Sequence, residues 1–366
     1  MIVLDLMLPI VLASAAIGAA SDILDFVDPL IGSDNDGNAF AGASLPYGMA
    51  KPVADVDGQN TGGFATDGSN VTGFSSMHDA GAGGNPSLGT FPLFPQYCDH
   101  GKEDDINSCF FPKAERATHY VNESVVSRPG YFALNLTNGI SAEMTATEHA
   151  ALYQFTFPLR QIQTSDGGGL LSPLILLDLT DIYDTRQNAS IDIDPHTGRM
   201  QGNGTFLPSF GAGTFKSFFC VDFDHQTVHD SGIWVNNRAG TEPQSIFVTR
   251  GFNTFYLQAG GFVRFPYTGG GKVNARVGVS LLSTQKACQN AEKEIPDYNF
   301  VGIRKRAEAA WREKLAPISV DSWGVVDDFL VSFYSGVYRT MLSPQDYTGE
   351  NPLWVSDEPY FDSFYW

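Results

Sequence analysis

Apolar positions along residues 22–287 recur with a period of two or in short unbroken runs. Tyr153, Phe155 and Phe157 alternate with Gln154 and Thr156, the pattern of a half-buried strand. Val273, Ala275, Val277, Val279 and Leu281 alternate with Asn274, Arg276, Gly278 and Ser280 in the same way. Residues 174–179 (LILLDL) are almost uninterrupted, which predicts a strand covered on both faces. Residues 218–223 and 254–257 continue the series. Turns rich in Gly and Pro separate the runs, and no helical pattern lies between them. Strands without intervening helices predict a mainly β fold, an antiparallel β-sandwich rather than βαβ units.

The period changes near Gln289. Phe300, Ile303, Ala307, Ala310, Trp311 and Leu315 recur at helical spacing opposite Arg304, Lys305, Glu308, Arg312 and Glu313, which predicts an amphipathic helix over 300–315. A second helix is predicted over 325–342. Its apolar stripe is wide, and Asp327 and Asp328 in its first turn suit the helix dipole. The expected organisation is a leader (1–20), a β-sandwich (21–287), a linker with one helix (288–321) and the start of a helical domain (322–366).

Composition narrows the setting. The chain has 366 residues, 43% of them hydrophobic and 17% charged, enough apolar material for a large core. Its net charge is −19, and no basic cluster relieves it, so nucleic-acid binding is excluded as a function class. Residues 6–20 form one uncharged apolar run, too short to cross a bilayer and ended by small residues. It reads as a secretory signal cut after Ala20, although its start lacks Lys and Arg. A secreted, extracellular chain with no membrane attachment after cleavage is therefore expected. Five glycosylation sequons, at Asn70, Asn122, Asn135, Asn188 and Asn203, point the same way. So do four cysteines outside any CxxC motif. Cys98 and Cys109 flank a polar surface segment and are expected to pair, leaving Cys220 with Cys288.

Two loop segments dense in Gly, Asn, Asp and Pro carry the candidate chemistry, since small residues let a backbone approach a ligand. They read Asp28-Pro29-Leu30-Ile31-Gly32 with Phe40-Ala41-Gly42-Ala43-Ser44-Leu45-Pro46-Tyr47-Gly48-Met49, and Gly73-Phe74-Ser75-Ser76-Met77-His78-Asp79-Ala80-Gly81-Ala82-Gly83. These resemble the N-terminal signature of glycoside hydrolase family 92, the calcium-dependent exo-acting α-mannosidases. Tyr338-Arg339-Thr340 and Pro344 resemble a later family motif. Ala41 and Ala80 depart from the usual Pro and Ser, and Gly62-Gly63-Phe64 stands where the family often has a Trp.

The resemblance implies a supersandwich followed by an (α/α)6 barrel, inverting hydrolysis of mannose-containing N-glycans or mannans, and calcium as cofactor. It also implies that the catalytic carboxylates and most calcium ligands lie beyond Trp366, in a barrel domain missing here. No catalytic or metal residue is therefore assigned within the chain. The sugar-binding candidates are Asn38, Gly63, Phe64, His78 and Asp79. Two readings fit His78: a hydrogen bond to a mannose hydroxyl, or a tie within its own loop. Asp55, Asp57 and Asp67 lack calcium-loop spacing and read as surface acids. Asp357, Glu358 and Asp362 read as a solvated turn, and His225 with His229 lacks the rest of a zinc motif. The rival functions are a non-catalytic carbohydrate-binding or adhesion sandwich and a glycoamidase-like enzyme.

Overall fold

The computed structural model describes residues 22–58, 61–81, 87–99, 105–160, 170–224, 227–250, 257–267, 271–321, 323–353, 356 and 358–363. The expected leader and its expected cut after Ala20, residues 254–256 of one expected strand, His225 and Asp357 lie outside the described residues.

Two antiparallel sheets are stacked face to face. The first runs, in spatial order, β1 (Val53–Val56), β2 (Val71–Ser75), β3 (Leu93–Gln96), β8 (Leu174–Asp178), β15 (Ala259–Arg264), β12 (Asp230–Val235) and β13 (Arg238–Gly240). The second runs β14 (Ser245–Thr249), β9 (Asn188–Ile193), β10 (Met200–Phe206), β11 (Phe215–Phe223), β16 (Lys272–Ser280), β7 (Ala150–Thr156), β6 (Ser141–Ala146), β5 (Tyr131–Asn135) and β4 (Val126–Arg128).

The first sheet is buried at every position of β1, β2, β3, β8 and β15. One face meets the second sheet, where Phe74 packs edge-on against Phe155 with ring centroids 5.6 Å apart. Over the other face lies the segment 110–118, which contains the short helix α1 (Lys113–Arg116) and whose Phe111 stacks on Trp234 at 5.7 Å. Two covered faces explain why 174–179 needs no polar alternation.

The second sheet alternates along β9 and β10, while β5, β6, β7, β11 and β16 carry buried runs. Along β16, exposure alternates up to Arg276 and then ceases. The cause is α2 (Thr284–Glu294), which lies across β16 and β11 on the outer face. A methyl group built on Gly278 would sit 1.9 Å from the Ala287 carbonyl oxygen, so this approach requires glycine. The Cys220–Cys288 disulfide, Cα–Cα 5.0 Å, ties α2 to β11. Cys98 bonds to Cys109 at a Cα–Cα distance of 4.2 Å and anchors the covering segment beside β3.

Helix α3 (Phe300–Leu315) buries Phe300, Ile303, Ala307, Trp311 and Leu315. The Asn299 side chain accepts from the Gly302 N–H at 2.9 Å and caps it. Helix α4 (Asp327–Arg339) is shorter than 325–342, because residues 340–342 close a turn. It buries Leu330, Tyr334 and Tyr338 but leaves Val326, Phe329 and Phe333 exposed. A short pair, β17 (Gln345–Asp346) and β18 (Phe361–Asp362), follows. No helix among the described residues is long and apolar enough to cross a membrane.

Candidate active-site wall and the sandwich–helix joint

The two signature segments fold against one another. Gly63 and Gly81 both have positive φ, +88° and +94°. A methyl on Gly63 would come within 2.6 Å of His78 Nε2, and one on Gly81 within 2.5 Å of the Asn38 carbonyl oxygen. Only glycine allows these strands of loop to cross so closely.

His78 is the pin of the crossing. Its Nδ1 donates to the Lys51 carbonyl at 2.7 Å, and its Nε2 lies 2.7 Å from Asp55 Oδ1 and 3.1 Å from Ser75 Oγ. Ser75 donates to the other Asp55 oxygen at 2.6 Å. The imidazole is wholly buried, with both nitrogens engaged inside the protein. Asp55 departs from the sequence reading: it is a buried acid 4% exposed, whereas Asp57 and Asp67 are at the surface. Asp55 is inside because β1 belongs to the sheet covered on both faces, and Ser75 and His78 supply its hydrogen bonds.

The other candidates separate by depth. Phe64 is buried between the rings of Tyr120 and Phe132, 5.2 and 5.1 Å away. Asp79 is buried, and its Oδ1 accepts from the Gly81 N–H at 2.9 Å. Asn38 is half-exposed and lines a hollow of about 180 Å³ with Asp34, Asp36 and Asp67. Its Oδ1 accepts from the Thr61 N–H at 3.3 Å.

The segment 28–49 also seats the helices. Trp311 Nε1 of α3 donates to the Ser44 carbonyl at 2.7 Å. The Tyr47 N–H donates to the Met341 carbonyl, and the Asp346 N–H to the Tyr47 carbonyl, both at 2.7 Å. Ser335 of α4 accepts from the Asp28 N–H at 2.8 Å. Behind this joint Lys51 is fully buried, its Nζ donating to the Gly48 carbonyl at 2.7 Å. The Gln345 side-chain amide oxygen accepts a second bond from it at 3.2 Å. Burial pushes the Lys51 ammonium down to about 7, and the Asp79 carboxylate offsets this only in part.

A cavity of about 520 Å³ opens at the joint, between Tyr47 and Met49, the turn residues Glu148 and His149, Glu313 and Lys314 of α3, and Asp346 and Phe361. Sequence reasoning singled out none of the polar groups here. His149 donates its backbone N–H to Glu294 Oε2 at 2.9 Å and places Nδ1 2.8 Å from Oε1. Burial alone would lower the His149 pKa, but the Glu294 hydrogen bond and charge outweigh it and hold the ring above its ordinary value. The same contact holds Glu294 below its usual range, although burial opposes it. These two residues lie 145 positions apart, which hides the pair from any local pattern.

Glu148, His149 and Glu294 bring their ligand atoms within 4.8 Å of one another. They do not suit calcium. Both Glu294 oxygens already accept from His149, and calcium takes six to eight oxygen ligands. Of the C-terminal acids, Asp362 accepts from Tyr360 Oη at 2.8 Å and Glu358 is exposed. Asn122 and Asn135 are exposed, while Asn70, Asn188 and Asn203 are half-buried.

Residues 26–280 match the family model described as the glycosyl hydrolase family 92 N-terminal domain. The chain belongs to glycosyl hydrolase family 92. Residues 286–365 match the family 92 catalytic domain. A protein of Arthroderma benhamiae described as an uncharacterized secreted glycosidase is 58% identical over 365 residues, 98% of this chain and 46% of that protein. The chain thus spans about half the length of the curated relative it matches. Two solved family 92 structures from Bacteroides thetaiotaomicron share the fold. One is an α-mannosidase in complex with mannoimidazole: 20% identity, TM-score 0.71, 89% of this chain and 41% of that one. The other is an inverting mannosidase: 21% identity, TM-score 0.71, 89% and 40%.

Proposed function

We propose that this family 92 chain is the sandwich-bearing part of a secreted, inverting exo-α-mannosidase acting on mannose-containing glycans, and that it contributes one wall of the sugar pocket. One observation carries the reading. The family signature loops, pinned by Asp55, Ser75 and His78, also seat α3 and α4, and Asn38 reaches solvent beside them. On this reading Asn38 offers hydrogen bonds to sugar hydroxyls, while Gly63, Phe64, His78 and Asp79 hold its loop in place. The helices α3 and α4 are read as the linker helix and the opening of an (α/α)6 barrel.

The acid that protonates the leaving oxygen and the base that activates water belong, in this proposal, to residues beyond Trp366. The calcium ligands are placed there with them. Calcium in such a site would supply Lewis-acid stabilisation of the bound sugar. This chain's own residues would bind, orient and exclude water.

The test is an α-mannosidase assay on an aryl α-mannoside and on α-1,2-mannobiose. It compares the 366-residue chain with a chimera carrying the remaining half of the 58% identical relative. Turnover by the chimera alone is expected, with β-mannose as the first product by NMR. A chimera that cleaves other glycosides but no α-mannoside would overturn the substrate class. Turnover by the 366-residue chain itself would overturn the placement of the acid and base.

A further inference from the structure

Strand β14 (SIFVT) is the outermost strand of the second sheet among the described residues, and it carries no charge. On its outer face Phe247 is 66% exposed. Proteins commonly charge, shorten or cover such an edge, because an uncharged apolar strand invites pairing with another chain. We propose that Asn188 carries an N-linked glycan whose innermost sugar packs on the ring of Phe247 and covers this edge. The proposal rests on the secreted part of the reading above and not on the mannosidase part.

Strand register puts the two groups together. Phe247 pairs with Ser190, and Thr249 with Asn188, so Asn188 and Phe247 are diagonal neighbours on adjacent strands. Both belong to the outward-facing set of alternating positions. Diagonal neighbours lie about 7–8 Å apart, within reach of a ring carried on a side chain. The face of an aromatic ring is electronegative and suits the C–H face of a sugar.

Two sequons meet at this place, and their surroundings distinguish them. Asn188-Ala189-Ser190 and Asn203-Gly204-Thr205 lie antiparallel, with Asn188 opposite Thr205 and Ser190 opposite Asn203. The Asn203 Nδ2 donates to Ser190 Oγ at 2.9 Å, and the Thr284 hydroxyl at the start of α2 donates to the Gly202 carbonyl next to it. At Asn188 it is the oxygen that is used, accepting from Thr205 Oγ1 at 3.2 Å. Its Nδ2, the atom that takes a glycan, keeps no hydrogen-bond partner among the described residues. In the transfer, Asn188 Nδ2 bonds to the anomeric carbon of an oligosaccharide borne on a polyisoprenoid pyrophosphate. The bond from that carbon to the pyrophosphate oxygen breaks, the lipid pyrophosphate leaves with the electron pair, and Nδ2 gives up one proton.

The whole chain is made in a glycosylating host behind the host's own signal peptide, so a bare Asn188 counts against this site and not against the secreted reading. Trypsin releases residues 187–199, which hold Asn188 and no other sequon, and mass spectrometry is expected to find a glycan there. Asn188→Gln should then lower Tm by about 2 °C. In a Phe247→Ala background this loss should disappear, and in Phe247→Trp, which keeps a ring, it should remain. The same variants made without glycans in a bacterial periplasm, where disulfides still form, should show no coupling between the two positions. An unmodified 187–199 peptide would overturn the proposal. So would an Asn188→Gln loss that is the same with and without the Phe247 ring, or a coupling that persists in the glycan-free protein.

Discussion

Lys51 carries an ammonium into a site with no solvent exposure, against Gly48, Gln345 and the nearby charge of Asp79. Its pKa there is about 7, against 10.5 in an open chain. Below pH 7 the lysine is charged in both states, and the folded protein bears the full burial penalty. Between pH 7 and 10.5 the unfolded chain holds a proton that the folded one has released, so stability rises with pH. The slope is at most about 1.4 kcal/mol per pH unit. In Lys51→Met this rise should vanish. Urea midpoints of both proteins at pH 6.5, 8 and 9.5 test it; a stability difference that stays constant with pH would show that Lys51 does not titrate in this range. The Asp55–His78 contact was not legible for a related reason. Asp55 sits in an acid-rich stretch that reads as surface, and only the covering of β1 on both faces puts it inside.

At the scale of elements, the period-two and period-3.6 signals located β7, β8, β11, β16 and α3. Helix α2 escaped notice, although its signal was present: Ser283 caps the Lys286 N–H at 3.1 Å, and Ala287, Cys288, Ala291 and Ile295 fall on one face. Its apolar residues are small, so the stripe is faint. They are small because α2 lies directly on the backbone of β16. Gly278→Ala should therefore be among the most damaging single-methyl changes. Its new carbon would stand 1.9 Å from the Ala287 carbonyl, and overpacking of this kind costs typically 1–3 kcal/mol or more. Chemical denaturation with the Cys220–Cys288 bridge intact measures the loss. Little change in midpoint would mean that α2 can lift from the sheet within the slack of its disulfide.

For the whole molecule, segment 28–49 is both the signature loop and the seat of the helices, so the sandwich and the helical segment share one joint. The far side of α4 is left bare, with Phe329 71% and Phe333 44% exposed. An apolar face of this kind binds hydrophobic dyes and promotes association. The double variant Phe329→Ser and Phe333→Ser should bind less dye and elute as a sharper monomer on size exclusion, with thermal stability nearly unchanged because neither ring is in the core. A large loss of stability instead would show that these rings are packed in solution.

Residue order alone determined the strand pattern, the two helices after residue 289, the pairing expected for the cysteines, and the loops that carry the family signature. These are local properties: period, turn chemistry and short motifs are written within a few residues. Tertiary structure alone decided the depth of each candidate. It put His78, Asp79, Phe64 and Gly63 inside and left Asn38 at the surface. It joined His149 to Glu294 across 145 positions. Burial and long-range pairing depend on which faces meet, and that is fixed only when the two sheets and the helices close on one another.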